Sequence, residues 1–392
     1  MTAVDAKALR KTVPRSSFAS WKPAADRFDP VALLHETEQG RIPELLPERH
    51  ERMRADPFAF YRGGAALMAA DLAARPVTRL RVQLGGDAHV MNFGGYATPE
   101  SNLIFDVNDF DETLPGPWEW DVARLCASAP LAALIRSFGQ RVGEEAAYEA
   151  AASYRINMRE LAERSPLQIW HSRVDVRGML ARELTPPSTA THVKPTPEHE
   201  NIARSTIEKY RETLLPHVRM LLERYHAIDC FEHPVGVGSV GLLTVIVHLQ
   251  GRENETLYLQ IKEAQASVLE RYLGASQFSN HGERAIVGQR LMQAATDLFV
   301  GWTSDGERHF YVRQLRDEKA SLDLERISGA QLVDFARRCG AVLARAHART
   351  GDPQAIAAYL GAGDVFETSM ADFGSVYAKQ VERDYEAFCR GL

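Results

Sequence analysis

Two short stretches carry residues whose types and spacing could do chemistry. One is Gly85-Gly86-Asp87-Ala88-His89-Val90-Met91-Asn92-Phe93. The other is Leu103-Ile104-Phe105-Asp106-Val107-Asn108-Asp109-Phe110-Asp111-Glu112. An Asp, an Asn five positions later, and then an apolar strand ending in carboxylates form the base-and-metal half of a phosphoryl-transfer site. In that chemistry one Asp accepts the proton of an attacking hydroxyl, while the Asn and a second Asp hold magnesium against the phosphates. The spacing assigns Asp87 as base and Asn92 and Asp109 as metal ligands, with His89, Asp106 and Asp111 in support. Two like charges about 4 Å apart repel by roughly 4 kcal/mol at an effective dielectric of about 20. A divalent cation relieves such crowding, and oxygen-only ligands suit Mg2+, or Mn2+ in its place. The competing reading is an Asp-rich surface turn, against which the apolar flank Leu103-Ile104-Phe105 argues.

A second constellation lies far downstream. Val235-Gly236-Val237-Gly238-Ser239-Val240-Gly241 has GxGxxG spacing, which in a dinucleotide-binding fold would open a helix. Here it leads into Leu243-Thr244-Val245-Ile246-Val247-His248-Leu249, which is β-branched and strand-like. A turn at 251–254 and a second strand, Leu257 to Lys262, follow. Strand, glycine loop, strand, turn and strand ending in Lys predict a hairpin lying over a nucleotide. Gly236, Gly238, Ser239 and Gly241 would approach phosphates by backbone, and Lys262 would reach their oxygens. Taken alone, the glycines fit an ordinary hairpin and Lys262 an exposed strand end; together with the Asp cluster they favour nucleotide binding. A Glu should pair with Lys262, and Glu283 and Glu270 are both candidates. The strand Phe310 to Leu315 would run into a hinge that receives adenine, with Gln314 at its end.

The elements that must position these groups are mostly helical. Residues 1–55 are polar and punctuated by Pro14, Pro23, Pro30, Pro43 and Pro47, and are expected to form an extension with short helices such as Asp29 to Glu38. Helical spacing covers Pro57 to Ala74, interrupted at Gly63-Gly64, and a strand from Arg79 to Leu84 delivers the chain to Asp87. Asp121, after the turn Pro115-Gly116-Pro117, fits either a plain helix N-cap or a brace for the Asp87 loop. Further helices are predicted over Glu144–Glu163, Glu200–Tyr225, Ala264–Tyr272, Glu283–Leu298, Leu332–Arg349 and Phe366–Phe388. Leu184 to Pro197 reads as a loop. The division is 1–55 extension, 56–234 catalytic part of a helical lobe, 235–320 nucleotide-covering sheet, and 321–392 helices completing the first lobe. The fold class is α+β.

Composition excludes several classes. The formal net charge of -6 argues against a general nucleic-acid or membrane-surface binder. No apolar run is long enough to span a bilayer, and no apolar run follows the basic N-terminal residues as a secretory signal requires. Cys126, Cys230, Cys339 and Cys389 are widely spaced, which indicates neither a zinc site nor a disulfide framework and suits a reducing, cytoplasmic setting.

The segment Gly86-Asp87-x-His89-x-x-Asn92, the pattern Asp109-Phe110-Asp111 and the helix start Asp121-Val122-Ala123 resemble the aminoglycoside-phosphotransferase branch of the protein-kinase-like fold. One departure is Gly85, where that branch commonly has a His that helps to brace the loop. The helix carrying Leu343-Ala344-Arg345-Ala346-His347 is similar to the one that leads into the catalytic loop there, yet it lies near the C-terminus, and Asp87 precedes the glycine loop. The resemblance therefore implies a circularly permuted, two-lobed kinase-like fold using ATP and Mg2+, with a nucleotide and an unidentified phosphate acceptor as partners. In the permuted fold Lys262 should face Asp109 across a phosphate-sized gap, and the helix ending at His347 should pack beneath Asp87. As a whole the chain also resembles an uncharacterised bacterial family, domain of unknown function 2252. The blocks are Phe58 to Gly63, Gly86 to Gly94, Asn108 to Thr113, Val235 to Gly241 and Gln260 to Ala264.

Two alternatives stand beside the phosphotransferase. A two-metal phosphoesterase would use Asp87, His89 and Asn92 as ligands, but no companion His motif follows and the glycine loop and Lys262 would have no role. A pseudokinase would bind nucleotide without transfer, and the same scaffold can also move AMP in place of phosphate.

Overall fold

Interruptions in the apolar pattern set where the helices stop. The computed structural model describes residues 3–100, 102–175, 184–185, 194–232, 237–315 and 320–391. In the N-terminal part α1 (Ala3–Ala8), α2 (Pro30–Glu36) and α3 (Leu46–Met53) are joined by irregular chain. The Asp29 carboxylate caps α2 by accepting the Val31 and Ala32 N–H groups. The helical pattern beginning at Pro57 divides into α4 (Pro57–Gly63) and α5 (Ala65–Ala73). A Cβ at Gly63 would meet the Met53 side chain at 2.8 Å, so the glycine pair both bends the chain and admits α3.

Next come β1 (Arg81–Leu84), β2 (Phe93–Ala97), β3 (Leu103–Val107) and β4 (Leu114–Pro117), and then α6 (Glu119–Ile135), α7 (Gln140–Ala162) and α8 (Pro166–His171). The short strands β5 (Val174–Asp175) and β6 (Leu184–Thr185) follow. The single helix expected over Glu200–Tyr225 is instead two, α9 (Pro197–Tyr210) and α10 (Pro216–Leu222). Pro216 disfavours the helical region for Leu215, whose ψ is 144°. The chain then forms β7 (His226–Glu232), β8 (Thr244–Gln250) and β9 (Thr256–Ala264). The helix expected from Ala264 is also corrected: β9 runs through Ala264, and only α11 (Glu270–Leu273) forms before α12 (His281–Met292). The remaining elements are β10 (Gly301–Asp305), β11 (Arg308–Gln314), β12 (Ala320–Leu322), α13 (Gly329–Thr350), α14 (Pro353–Leu360) and α15 (Val365–Gly391).

Among the described residues the strands form three antiparallel sheets, ordered β1-β4, β10-β11-β9-β8-β7 and β5-β3-β2-β12-β6, so the architecture is α+β with small sheets. The main core lies among α6, α7, α13 and α15, where small residues permit close approach. A Cβ at Gly340 would sit 2.0 Å from the Ala150 carbonyl oxygen, and one at Gly374 would sit 2.5 Å from that of Cys126. The N-terminal extension is stitched to this core. Arg27 bridges Asp71 (2.7 Å) and Asp384 (2.7 Å), and Phe18 and Trp21 pack edge-on against Phe373. A separate apolar cluster, including Tyr210, Val245, Leu259 and Phe310, holds α9 against the five-stranded sheet of β7–β11. No helix among the described residues is long and apolar enough to cross a membrane.

Candidate functional site

Gly86 fixes the path into the Asp87 loop. Its φ is +83°, and a Cβ there would lie 2.3 Å from the Glu112 carbonyl oxygen, so only glycine lets the two acidic stretches come together. Asp121 holds the entry to the loop. It lies inside the first turn of α6, not at its cap, and its carboxylate accepts the N–H groups of Gly85 (2.7 Å) and Gly86 (3.0 Å). His347, on α13, reaches the same carboxylate with Nε2 at 3.1 Å, and its Nδ1 lies 3.0 Å from the Tyr154 hydroxyl. A histidine from the far end of the chain thus supplies a brace that Gly85 cannot. At the end of α13, Thr350 Oγ1 accepts the Gln83 N–H of β1 at 3.0 Å, so this helix packs under the strand that leads to Asp87.

Within the loop, the Asn92 side-chain amide donates to the Asp87 carbonyl (2.6 Å), which leaves its Oδ1 as the ligand-capable atom. Asn108 N–H donates to the Asn92 carbonyl (2.9 Å) and ties the second acidic stretch to the first. Asp87 forms an ion pair with Arg124 (2.7 Å), whose guanidinium stacks on Tyr61 at 3.8 Å from the ring centroid. His89 is buried with Nε2 3.7 Å from Asp87, and burial together with Arg62 and Arg124 keeps its pKa well below the ordinary value.

Asp109 and Asp111 lead on to the sheet. Asp109 Oδ1 accepts the Asp111 N–H at 3.2 Å; burial, with the neighbouring Asp111 charge adding to it, raises the Asp109 pKa. Burial would raise Asp111 as well, but Lys262 and Tyr311 outweigh it and hold that carboxylate below its ordinary range. Lys262, on β9, is buried and donates to Asp111 Oδ2, while the Tyr311 hydroxyl of β11 donates to Oδ1 at 2.8 Å. Ser239 Oγ lies 3.4 Å from the same carboxylate. Arg284, on α12, donates to the carbonyls of Thr113 (2.8 Å), Asp111 (2.7 Å) and Gln265 (2.8 Å), locking sheet and acidic loop together.

Several expectations need correction. Lys262 closes directly on Asp111 instead of pointing across a gap to Asp109. Neither proposed Glu pairs with Lys262. Glu270 accepts from the Ser267 and Ser276 N–H groups, and Glu283 is half-buried in the first turn of α12, its N–H capped by Asn280. Asp106 leaves the cluster: it is fully buried and bonded to Arg345 (2.5 Å) and the Ala294 N–H (2.8 Å). Asp106 lies within β3 and turns to Arg345 of α13, whereas Asp109 and Asp111 follow the end of the strand, where alternation no longer sets side-chain direction.

The glycine run does not open an α-helix. A single 3-10 turn, Val237–Ser239, leads on to β8, while Gly236 lies outside the described residues. The carbonyls of Gly238, Val240 and Gly241 accept from Arg49, Arg41 and the Ile42 N–H, so the N-terminal extension clasps this loop. Gln314 borders a cleft with Tyr96, Asn108, Gln289, Gln293 and Arg313, but its N–H donates to Asp297 and that of Leu315 to the Tyr258 carbonyl. The hinge expected after the strand Phe310 to Leu315 would begin at residues 316–319, which lie outside the described residues, as does most of the loop expected over Leu184 to Pro197.

Sequence reasoning missed Arg62, Arg124, Arg284 and Tyr311. Arg62 lies at the end of α4, within the electrostatic reach of Asp87 and Asp109, and its Nε is buried without a hydrogen-bond partner among the described residues. The sequence signal was present in Arg62-Gly63-Gly64 and in Asp121-Val122-Ala123-Arg124, both read only for packing and helix start.

A family model described as an uncharacterized protein conserved in bacteria matches residues 41–194 and 175–391. No curated protein and no solved structure matches the chain. With matches along most of its length, the chain belongs to this bacterial family, domain of unknown function 2252.

Proposed function

We propose that the protein is an ATP- and Mg2+-dependent phosphotransferase of circularly permuted kinase-like architecture. The observation that carries this reading is the meeting of Lys262, on the middle strand of the five-stranded sheet, with Asp111, in the acidic loop fastened to the Asp87 segment. Two stretches far apart in sequence, each with the residue types of one half of a phosphoryl-transfer site, meet at this ion pair. The packing of α13 beneath β1 supports the permutation, because it places the end of that helix where an unpermuted chain would continue toward Asp87.

The donor set suits magnesium. Asn92 Oδ1 and the Asp109 carboxylate are hard oxygen ligands, and burial and the Asp111 charge raise the Asp109 pKa against Lys262 and Arg313, a balance that a bound cation would shift toward the carboxylate. When bound, Mg2+ would neutralise charge on the phosphates. Asp87 accepts the acceptor's proton, and Lys262, released from Asp111, binds phosphate oxygens.

Nucleotide binding without transfer is the second reading, favoured by the ion pair that commits Asp87 to Arg124. Incubation with ATP labelled at the γ- or α-phosphate, in the presence of Mg2+ and metabolite pools, tests both. Transfer of γ-label supports the phosphotransferase, transfer of α-label indicates adenylylation, and Mg2+-dependent binding without transfer leaves the second reading.

A further inference from the structure

Outside the cleft, one cluster brings together side chains whose donor atoms suit a different kind of metal. His35, in the last turn of α2, Glu38, just beyond it, and His50, on α3, place one ligand atom each within 4.8 Å of one another. His35 Nδ1 lies 2.8 Å from Glu38 Oε2, and His50 Nε2 lies 2.6 Å from Oε1. Both imidazoles therefore aim a nitrogen at one buried carboxylate from separate elements.

We infer that His35, Glu38 and His50 form a binding site for a borderline transition-metal ion, Zn2+ being the best match, with water completing the coordination. Two imidazoles and a carboxylate are a set that zinc accepts with a fourth position open. At metal–ligand distances of about 2.0–2.1 Å, tetrahedral donors stand roughly 3.3 Å apart. The His35 and His50 contacts to Glu38, made to different carboxylate oxygens, need to widen by about 0.5 and 0.7 Å to reach that spacing. The nitrogen donors separate this site from the oxygen-only set at Asn92 and Asp109, which suits Mg2+.

Surroundings and access agree with this assignment. The His50 ring is held edge-on by Phe388 of α15, at 5.8 Å between centroids, so one ligand is oriented before metal arrives. The His35 side chain keeps 46% of its exposure, which gives an ion a path from solvent. Glu38 is nearly buried and has the Arg49 guanidinium 3.8 Å away. That cation also donates to the Gly238 and Gly63 carbonyls, and its charge would lower the affinity for a metal cation. Metal would join α2, the following turn and α3, the part of the extension that clasps the glycine loop.

The test uses the full chain stripped with a chelator. Zn2+ is titrated against a competing chromophoric chelator, and Co2+ is added separately to read ligand-field absorption. One equivalent of Zn2+ and visible Co2+ bands are expected. His35→Gln and His50→Gln should each weaken Zn2+ by more than about 100-fold, beyond the loss expected from an outer hydrogen-bond partner. His199→Gln, which removes a His–Glu pair elsewhere, should leave binding unchanged. Thermal unfolding without metal establishes that each variant is folded, and the half-exposed His35 position serves if His50→Gln does not fold. Absence of Zn2+ binding at millimolar concentration, or equal affinity in wild type and the histidine variants, would overturn the assignment.

Discussion

His347 Nε2 lies 3.1 Å from Asp121 Oδ2, joining residues 226 positions apart and bracing the backbone that enters the Asp87 loop. The other ring nitrogen, Nδ1, lies 3.0 Å from the Tyr154 hydroxyl, so the ring is held from both sides. His347→Ala should lower stability by about 1–3 kcal/mol, since a buried carboxylate loses a donor. It should also lower turnover more than nucleotide affinity. Denaturant unfolding and steady-state kinetics check this, and equal stability in the variant would remove the brace.

Lys262 and Asp111 join the sheet to the acidic loop. Lys262→Met should cost about 2–3 kcal/mol, moderated because the Asp111 side chain keeps 25% of its exposure. Asp111→Asn added to it should recover part of the loss, giving a coupling energy of about 1 kcal/mol or more in a double-mutant cycle. Additive effects would mean that the contact does not hold the two parts together.

Asp87→Asn should abolish turnover while Mg2+-dependent nucleotide binding survives, because the base is not needed to hold ATP. Near wild-type activity would exclude Asp87 as base. Loss of binding as well would assign it to the metal or to the fold.

Glu119 gives a pH prediction independent of the active-site reading. Its carboxylate is buried against Thr78, whose N–H (2.6 Å) and hydroxyl (3.0 Å) both donate to it. Burial raises its pKa from 4.5 to about 7, with the Thr78 bonds opposing. The folded state therefore keeps a proton that the unfolded chain releases. Its contribution to stability is fully present below the unfolded value, declines as pH rises through about 7, and levels off above that. The decline should total about 3 kcal/mol. Glu119→Gln should flatten this part of the stability–pH curve and be relatively more stable at pH 8. An unchanged slope in urea unfolding from pH 5 to 8 would contradict the assignment.

Local pattern made the elements around the candidate site legible where residues act within a few positions of one another. Asp87, Asn92 and Asp109 were assigned from spacing, and β8 and β9 from β-branched runs after glycine. What escaped was set by distant chain. Nothing in local sequence shows that Lys262 meets Asp111, that His347 anchors Asp121, or that Arg124 pairs with Asp87. Asp106 was misplaced because alternation was counted past the end of β3, where the backbone leaves the strand. The Glu200–Tyr225 pattern ran through Pro216 because periodic apolar residues outweighed the breaker.

Titration of the full chain with ATP by calorimetry, with and without Mg2+, tests the central claim most directly when repeated on Asp109→Asn. One-to-one binding that requires Mg2+ and is lost in the variant is expected, with thermal unfolding showing that the fold is retained. No ATP binding by the wild-type protein, or Mg2+-dependent binding of equal affinity in the folded Asp109→Asn variant, would contradict it.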